Sequence, residues 1–144
     1  MMHIRTFEPP DEPAVIELWR RCDLLRPWND PHQDIQHKVK QNDGLFLVGL
    51  IENQIIASVM AGYDGHRGWL YLVAVDPAHQ RRGHARQIIT DAERLLRGMG
   101  CRKINLQVRD TNQQVIEFYQ RVGYSIDPVL SMGKRFKNDD EAST

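Results

Sequence analysis

The stretch from Trp69 to Met99 limits the possible folds more than any other part of the chain. Trp69-Leu70-Tyr71-Leu72-Val73-Ala74-Val75 is an apolar run of strand length, and Asp76-Pro77 opens a turn after it. Ile88, Ile89, Ala92, Leu95, Leu96 and Met99 then recur at the i, i+3, i+4, i+7 spacing of one helix face. The bend between strand and helix holds Arg81, Arg82, Gly83, His84, Ala85 and Arg86. A helix N-terminus carries unpaired N–H groups and about half a positive charge. Gly83 and Ala85 leave little bulk over those donors, so the bend predicts a cradle for an anion such as a pyrophosphate. Lys103 to Arg109 alternates polar and apolar as a further strand. A strand, a helix and a second strand in this order require a parallel crossover.

The cradle is not one of two common phosphate sites. A P-loop needs G-x-x-x-x-G-K-[ST], and no Lys-Ser or Lys-Thr pair follows Gly83. A dinucleotide fingerprint needs G-x-G-x-x-G, and here the bend has a single glycine after an arginine-rich turn. What remains is Q-x-x-G-x-A, Gln80 to Ala85, behind a strand ending in V-A-V-D-P.

That pattern resembles the acetyl-CoA site of the GNAT family of N-acetyltransferases, over residues 45–126 well and over the first 43 poorly. The resemblance implies acetyl-CoA as co-substrate and no metal. It implies that main-chain groups along Val73, Ala74 and Val75 pair with the pantetheine arm. The N–H groups of Arg81, Arg82, Gly83, His84, Ala85 and Arg86 would hold the pyrophosphate. Asn112 matches the asparagine that opens the family's last helix and binds the pantetheine. Tyr119, in Phe118-Tyr119, matches the tyrosine that protonates the leaving sulfur. Leu106-Gln107-Val108-Arg109 stands where ribosomal-protein alanine acetyltransferases have L-E-V-R, and an amide is no base. The stretches C-D-L-L-R-P-W-N-D-P and Y-D-G-H-R-G are similar to the YpeA subgroup.

The rest of the chain supplies the surroundings. His3 to Phe7 alternates as a first strand; Asp11 and Pro13 predict a capped helix with Val15, Leu18, Trp19 and Cys22 on one face. Asp30-Pro31 opens a short second helix with Ile35 and Val39 inward, which reads equally as a movable flap or as a core element. Leu45–Ile51 and Gln54–Ala61 form a hairpin, and Gln113 to Val122 a last helix closed by Gly123. Tyr124 to Arg135 fits a final strand or hairpin. The predicted order is β-α-α-β-β-β-α-β-α-β. It gives an α/β (α+β) fold with a mixed, mostly antiparallel central sheet flanked by helices. Residues 1–136 make a single acetyltransferase domain and 137–144 a polar tail.

Nineteen Lys and Arg against nineteen Asp and Glu leave no net charge, which argues against a nucleic-acid or membrane-surface partner. Cys22 and Cys101 are too few for a disulfide framework or a zinc site, and neither a signal peptide nor a membrane span is evident. A cytoplasmic location is expected. The expected reaction is acetyl transfer from acetyl-CoA to a primary amine of a small molecule or peptide. The acceptor would lie between Leu24–Pro31 and Tyr63–Arg67, with Trp28 as an apolar wall and Asp64 or His66 orienting the amine. The alternative is a non-catalytic acyl-CoA-binding sensor. A homodimer through the sheet edge or the C-terminal strand is left open.

Overall fold

The computed structural model describes residues 1–137. Its elements are β1 (His3–Thr6), α1 (Glu12–Arg21), α2 (Pro31–Gln41), β2 (Phe46–Ile51), β3 (Gln54–Tyr63), β4 (Gly68–Val75), α3 (His84–Gly98), β5 (Ile104–Asn105) and α4 (Gln113–Arg121). One sheet runs β1-β2-β3-β4-β5, antiparallel throughout except for the parallel pair β4–β5.

Helices cover both faces. Ile88, Ile89, Ala92 and Leu96 of α3 pack on one face with Leu47, Val59 and Leu70. Val15, Leu18 and Trp19 of α1 and Ile35 of α2 pack on the other with Phe46, Val48 and Met60. Strands buried on both faces read as continuous apolar runs, which is why β2 and β3 lack alternation. Ser58, in the middle of β3, is a polar exception at 0% exposure.

Four expectations need correction. Asp11 precedes α1 but does not cap it; its carboxylate accepts from both Arg5 Nη atoms (2.7 and 3.0 Å) and from the Glu8 N–H. Val39 is exposed, and Lys38 is buried instead, its Nζ tied to Asp43 at 2.9 Å. The strand expected over 103–109 pairs only at Ile104 and Asn105. No strand forms between Tyr124 and Lys137, so the described order ends at α4. The cause lies at Pro128, which has no N–H for a ladder. The Val129 N–H closes a tight turn on the Asp127 carbonyl (2.9 Å), and the Asp127 side chain bonds Lys103 and Asn105. The segment is thus held to β5 by side chains, and Leu130, Met132 and Phe136 are left exposed. Most of the predicted tail, residues 138–144, lies outside the described residues. No described helix is long and apolar enough to cross a membrane.

The Arg5–Asp11 pair gives a pH signature. Hydrogen bonding from Arg5 holds the Asp11 carboxyl below its ordinary value of 3.8, so its stabilisation is present above about pH 4 and fades as pH falls through the lowered value. Arg5→Gln should cost about 1 kcal/mol at pH 7, and the gap to the parent protein should be smaller at about pH 3. Urea unfolding at both pH values checks this.

Candidate active site

The site is built along the free edge of β4. Ser58 pairs with Ala74 and Met60 with Tyr71, so Val59 alone faces both Leu72 and Val73. This is a β-bulge, and Leu72 pays for it with φ +50°, a region bulky residues rarely enter. The Leu72 carbonyl accepts from the Ser58 hydroxyl at 2.9 Å, and Ser58 Oγ accepts from Trp19 Nε1 at 3.0 Å. In a trans peptide C=O and N–H point in opposite directions, so the Val73 N–H points away from Ser58. Beyond Trp69 no strand among the described residues pairs with β4 on the side away from β3. The Asp76 N–H bonds Ile56 of β3, and strand alternation then turns Val75 toward the open edge and Ala74 toward β3. The Val75 carbonyl is covered by Gln80 Nε2 (2.9 Å) and the Cys22 thiol (3.3 Å), which leaves its N–H at the edge.

At the end of this edge the chain turns into the predicted cradle. Asp76 is buried, its Oδ1 caps the single turn Pro77–His79 through the Ala78 N–H, and both its oxygens meet Arg21 (2.9 and 2.5 Å). The C-terminal end of α1 therefore braces the bend. Arg81 (φ +64°) and Gly83 (φ +83°) are both left-handed, and such conformations turn successive N–H groups into one concavity. Gly83 starts α3 with no side-chain cap, and the first helical bond is Gln87 N–H to the Gly83 carbonyl. The N–H groups of His84, Ala85 and Arg86 have no acceptor within the helix.

Two histidines face each other here, ring centroids 6.4 Å apart. Burial, then His79, the N-terminal amine and Arg82 push the His84 imidazole below its usual range and so favour its neutral form. His79 Nδ1 is buried without a hydrogen-bond partner among the described residues. Uncapped N–H groups, the Arg81, Arg82 and Arg86 cations and an unmatched ring nitrogen fit a pyrophosphate.

The last helix brings the two remaining expected residues. Asn112 caps α4 by accepting from the Val115 N–H (3.4 Å). Tyr119 stands seven residues on, nearly two turns, and so on the same face. Phe118 and Tyr119 meet edge to face (5.2 Å), Tyr124 adds a second edge contact (5.7 Å), and all three pack against the α3-side core. Tyr124 donates to Glu93 of α3 at 2.7 Å, which fixes the end of α4. Burial pushes the Tyr119 phenol up to about 12. Tyr119 also lines an open groove of about 1190 Å³ with Trp69, Leu106 and Val129, left where the C-terminal segment fails to pair with β5.

The residues expected to meet the acceptor lie in two different loops, Trp28 between α1 and α2 and Asp64 and His66 between β3 and β4. Trp28 is half-buried in the α1–α2 loop. That loop and β4 enclose a cleft of about 30 Å³ lined by Trp19, Leu24, Leu25, Arg26, Asn29 and Leu72 among others. The cleft thus touches the bulge. Asp64 uses Oδ1 to accept from the His66 and Arg67 N–H groups (2.8 and 2.7 Å) and Oδ2 to accept from Trp69 Nε1 (3.4 Å). Those N–H groups hold its carboxyl below the usual range, and His66 is exposed beside it. Gln107 is hydrogen-bonded to Ser131. Sequence reasoning missed Leu72, Ser58, Trp19 and Arg21. The one available signal was Ser58, a hydroxyl inside the run Ile55 to Ala61.

The comparisons with known proteins agree with this geometry. Residues 13–124 match the model of the Acetyltransferase (GNAT) family. The chain is 47% identical, over 97% of its length and 99% of the relative's, to "Acetyltransferase SG1711" of Sodalis glossinidius. Its fold superposes on Ard1 from Thermoplasma volcanium with a TM-score of 0.78 (22% identity, 88% of this chain and 84% of that one). It also superposes on AAC(6')-Iy bound to a bisubstrate analogue, CoA-S-monomethyl-acetylneamine, with a TM-score of 0.71 (19% identity, 94% and 99%). With a family match across most of its length and a curated acetyltransferase this similar, the chain belongs to the GNAT family of N-acetyltransferases, enzymes that take their acetyl group from acetyl-CoA.

Proposed function

We propose that this enzyme acetylates a primary amine of a small molecule or peptide by direct attack on the thioester, with the reaction centred on the Leu72 bulge. One observation carries the reading: a strained bulge on an unpaired strand edge, at Leu72, is followed eleven residues on by an uncapped helix N-terminus at Gly83. In this reading the cradle binds the diphosphate and the Val75 N–H aligns the pantetheine arm. The Val73 N–H is the donor for the thioester oxygen as negative charge develops on it. Asn112 has an amide N–H left after capping α4 and serves the pantetheine.

Tyr119 stabilises the departing thiolate. A phenol raised to about 12 keeps its proton at every physiological pH. Full transfer to a thiolate with an ordinary thiol pKa of about 8.5 is uphill by roughly 3.5 units, or about 5 kcal/mol. Tyr119 therefore acts as a hydrogen-bond donor to the sulfur. Asp64 is ill suited to be a base, because its N–H partners favour the anion. Its part is to shape the loop that presents His66 and Trp69 to the acceptor, and the amine enters from the neutral fraction in solution.

Calorimetry with coenzyme A, followed by thiol release from acetyl-CoA over a panel of amino sugars, diamines and short peptides, tests the proposal. Binding heat and at least one competent acceptor are expected. An absence of heat overturns the cofactor reading; heat without thiol release for any amine supports the non-catalytic sensor.

A further inference from the structure

We propose that Ser58, held in place by Trp19, is a positioning residue for the acetyl carbonyl: it fixes the Leu72–Val73 peptide so that the Val73 N–H stays aimed at the open edge. The inference rests on the reading above, in which the thioester oxygen meets that N–H.

Ser58 sits at 0% exposure and Trp19 at 1%, in a strand whose neighbours Ala57, Val59 and Ala61 are buried and apolar. A hydroxyl there adds nothing to the ladder, and its loss of water is offset only by the bonds it makes. Both are made: it accepts from Trp19 Nε1 and donates to the Leu72 carbonyl. The second bond ends on the one residue of β4 with positive φ. At a bulge the extra residue loses its regular ladder partner, and a buried carbonyl must find another donor or rotate. Because Trp19 already donates to Ser58 Oγ, the single hydroxyl proton is left for Leu72. Without Ser58 the peptide can relax out of its left-handed turn, and the Val73 N–H rotates with it. The same indole and the same leucine line the small cleft under the α1–α2 loop, so the buried chain of hydrogen bonds runs along the wall of that cleft to the bulge.

The experiment is infrared difference spectroscopy on the full chain with acetyl-CoA isotope-labelled at its thioester carbonyl. The parent protein should displace the carbonyl band to lower frequency. Ser58→Ala should lose at least half of that displacement while its affinity for acetyl-CoA changes by no more than about twofold, since the cradle is untouched. Ser58→Thr, which keeps the hydroxyl, should retain the displacement. A full displacement in Ser58→Ala overturns the proposal. Bound acetyl-CoA with no displacement in the parent protein defeats the underlying reading instead, so the two failures are distinct. Should Ser58→Ala not fold, Ser58→Cys decides: it keeps nearly the same volume but offers only a weak S–H donor to Leu72, so a reduced displacement supports the proposal and a full one overturns it.

Discussion

Gly83→Val should weaken coenzyme A binding about 100-fold, roughly 2.7 kcal/mol, and still fold. Gly83 has φ +83°, and a β-branched residue there is strained by about 1–3 kcal/mol. A Cβ at this position meets nothing within 4 Å in the free protein, so the fold itself has room for it. The added methyl groups intrude on the concavity formed by the first N–H groups of α3. Gly100→Val is the control: Gly100 also has a left-handed φ (+93°) and an open Cβ position, but it follows the far end of α3. It should lose comparable stability and no affinity. If titration calorimetry finds both variants equally weakened, strain alone explains the loss and the cradle assignment falls.

Tyr119→Phe should lower kcat about 50-fold and leave acetyl-CoA affinity within about threefold, the pattern of an interaction made mainly in the transition state. The phenol hydroxyl is removed while the ring keeps its edge contacts with Phe118 and Tyr124, so stability changes little. Since the phenol titrates only near 12, the parent enzyme should show no limb from Tyr119 between pH 6 and 10. The same shift has a stability sign. A raised folded pKa stabilises fully below the unfolded value of about 10, and that contribution is lost as pH rises toward 12. Alkaline unfolding should therefore set in later for Tyr119→Phe than for the parent. An unchanged kcat with a competent acceptor would remove Tyr119 from the chemistry.

The strand, bend and helix of the proposed cradle were legible because their signals are local: an apolar strand, Asp76-Pro77, Gly83 and a strongly amphipathic helix all fall within thirty-odd residues. Asn112 and Tyr119 were singled out by the family resemblance; the residues alone mark the first as a helix cap and the second as an aromatic on α4. The bulge was not, since register is a relation between two strands, and nothing within Tyr71-Leu72-Val73 marks Leu72 as left-handed. The roles of Trp19 and Arg21 depend on α1 crossing β3 and the end of β4, contacts with Ser58 and Asp76 separated by 39 and 55 residues. The C-terminal strand failed for the opposite reason. Its residues suit a strand, but Pro128 and the Asp127 side chain turn the segment before it can pair.

The placement of the two cysteines decides how cleanly turnover can be counted. The Cys101 thiol is 7% exposed and donates to the Lys103 carbonyl, while burial and nearby Asp76 raise the Cys22 thiol above its ordinary range. Disulfide reagents attack thiolates, so both side chains should react sluggishly at neutral pH. A chromogenic readout of released coenzyme A would then carry almost no background from the enzyme itself, even at the high protein concentrations that a poor acceptor demands.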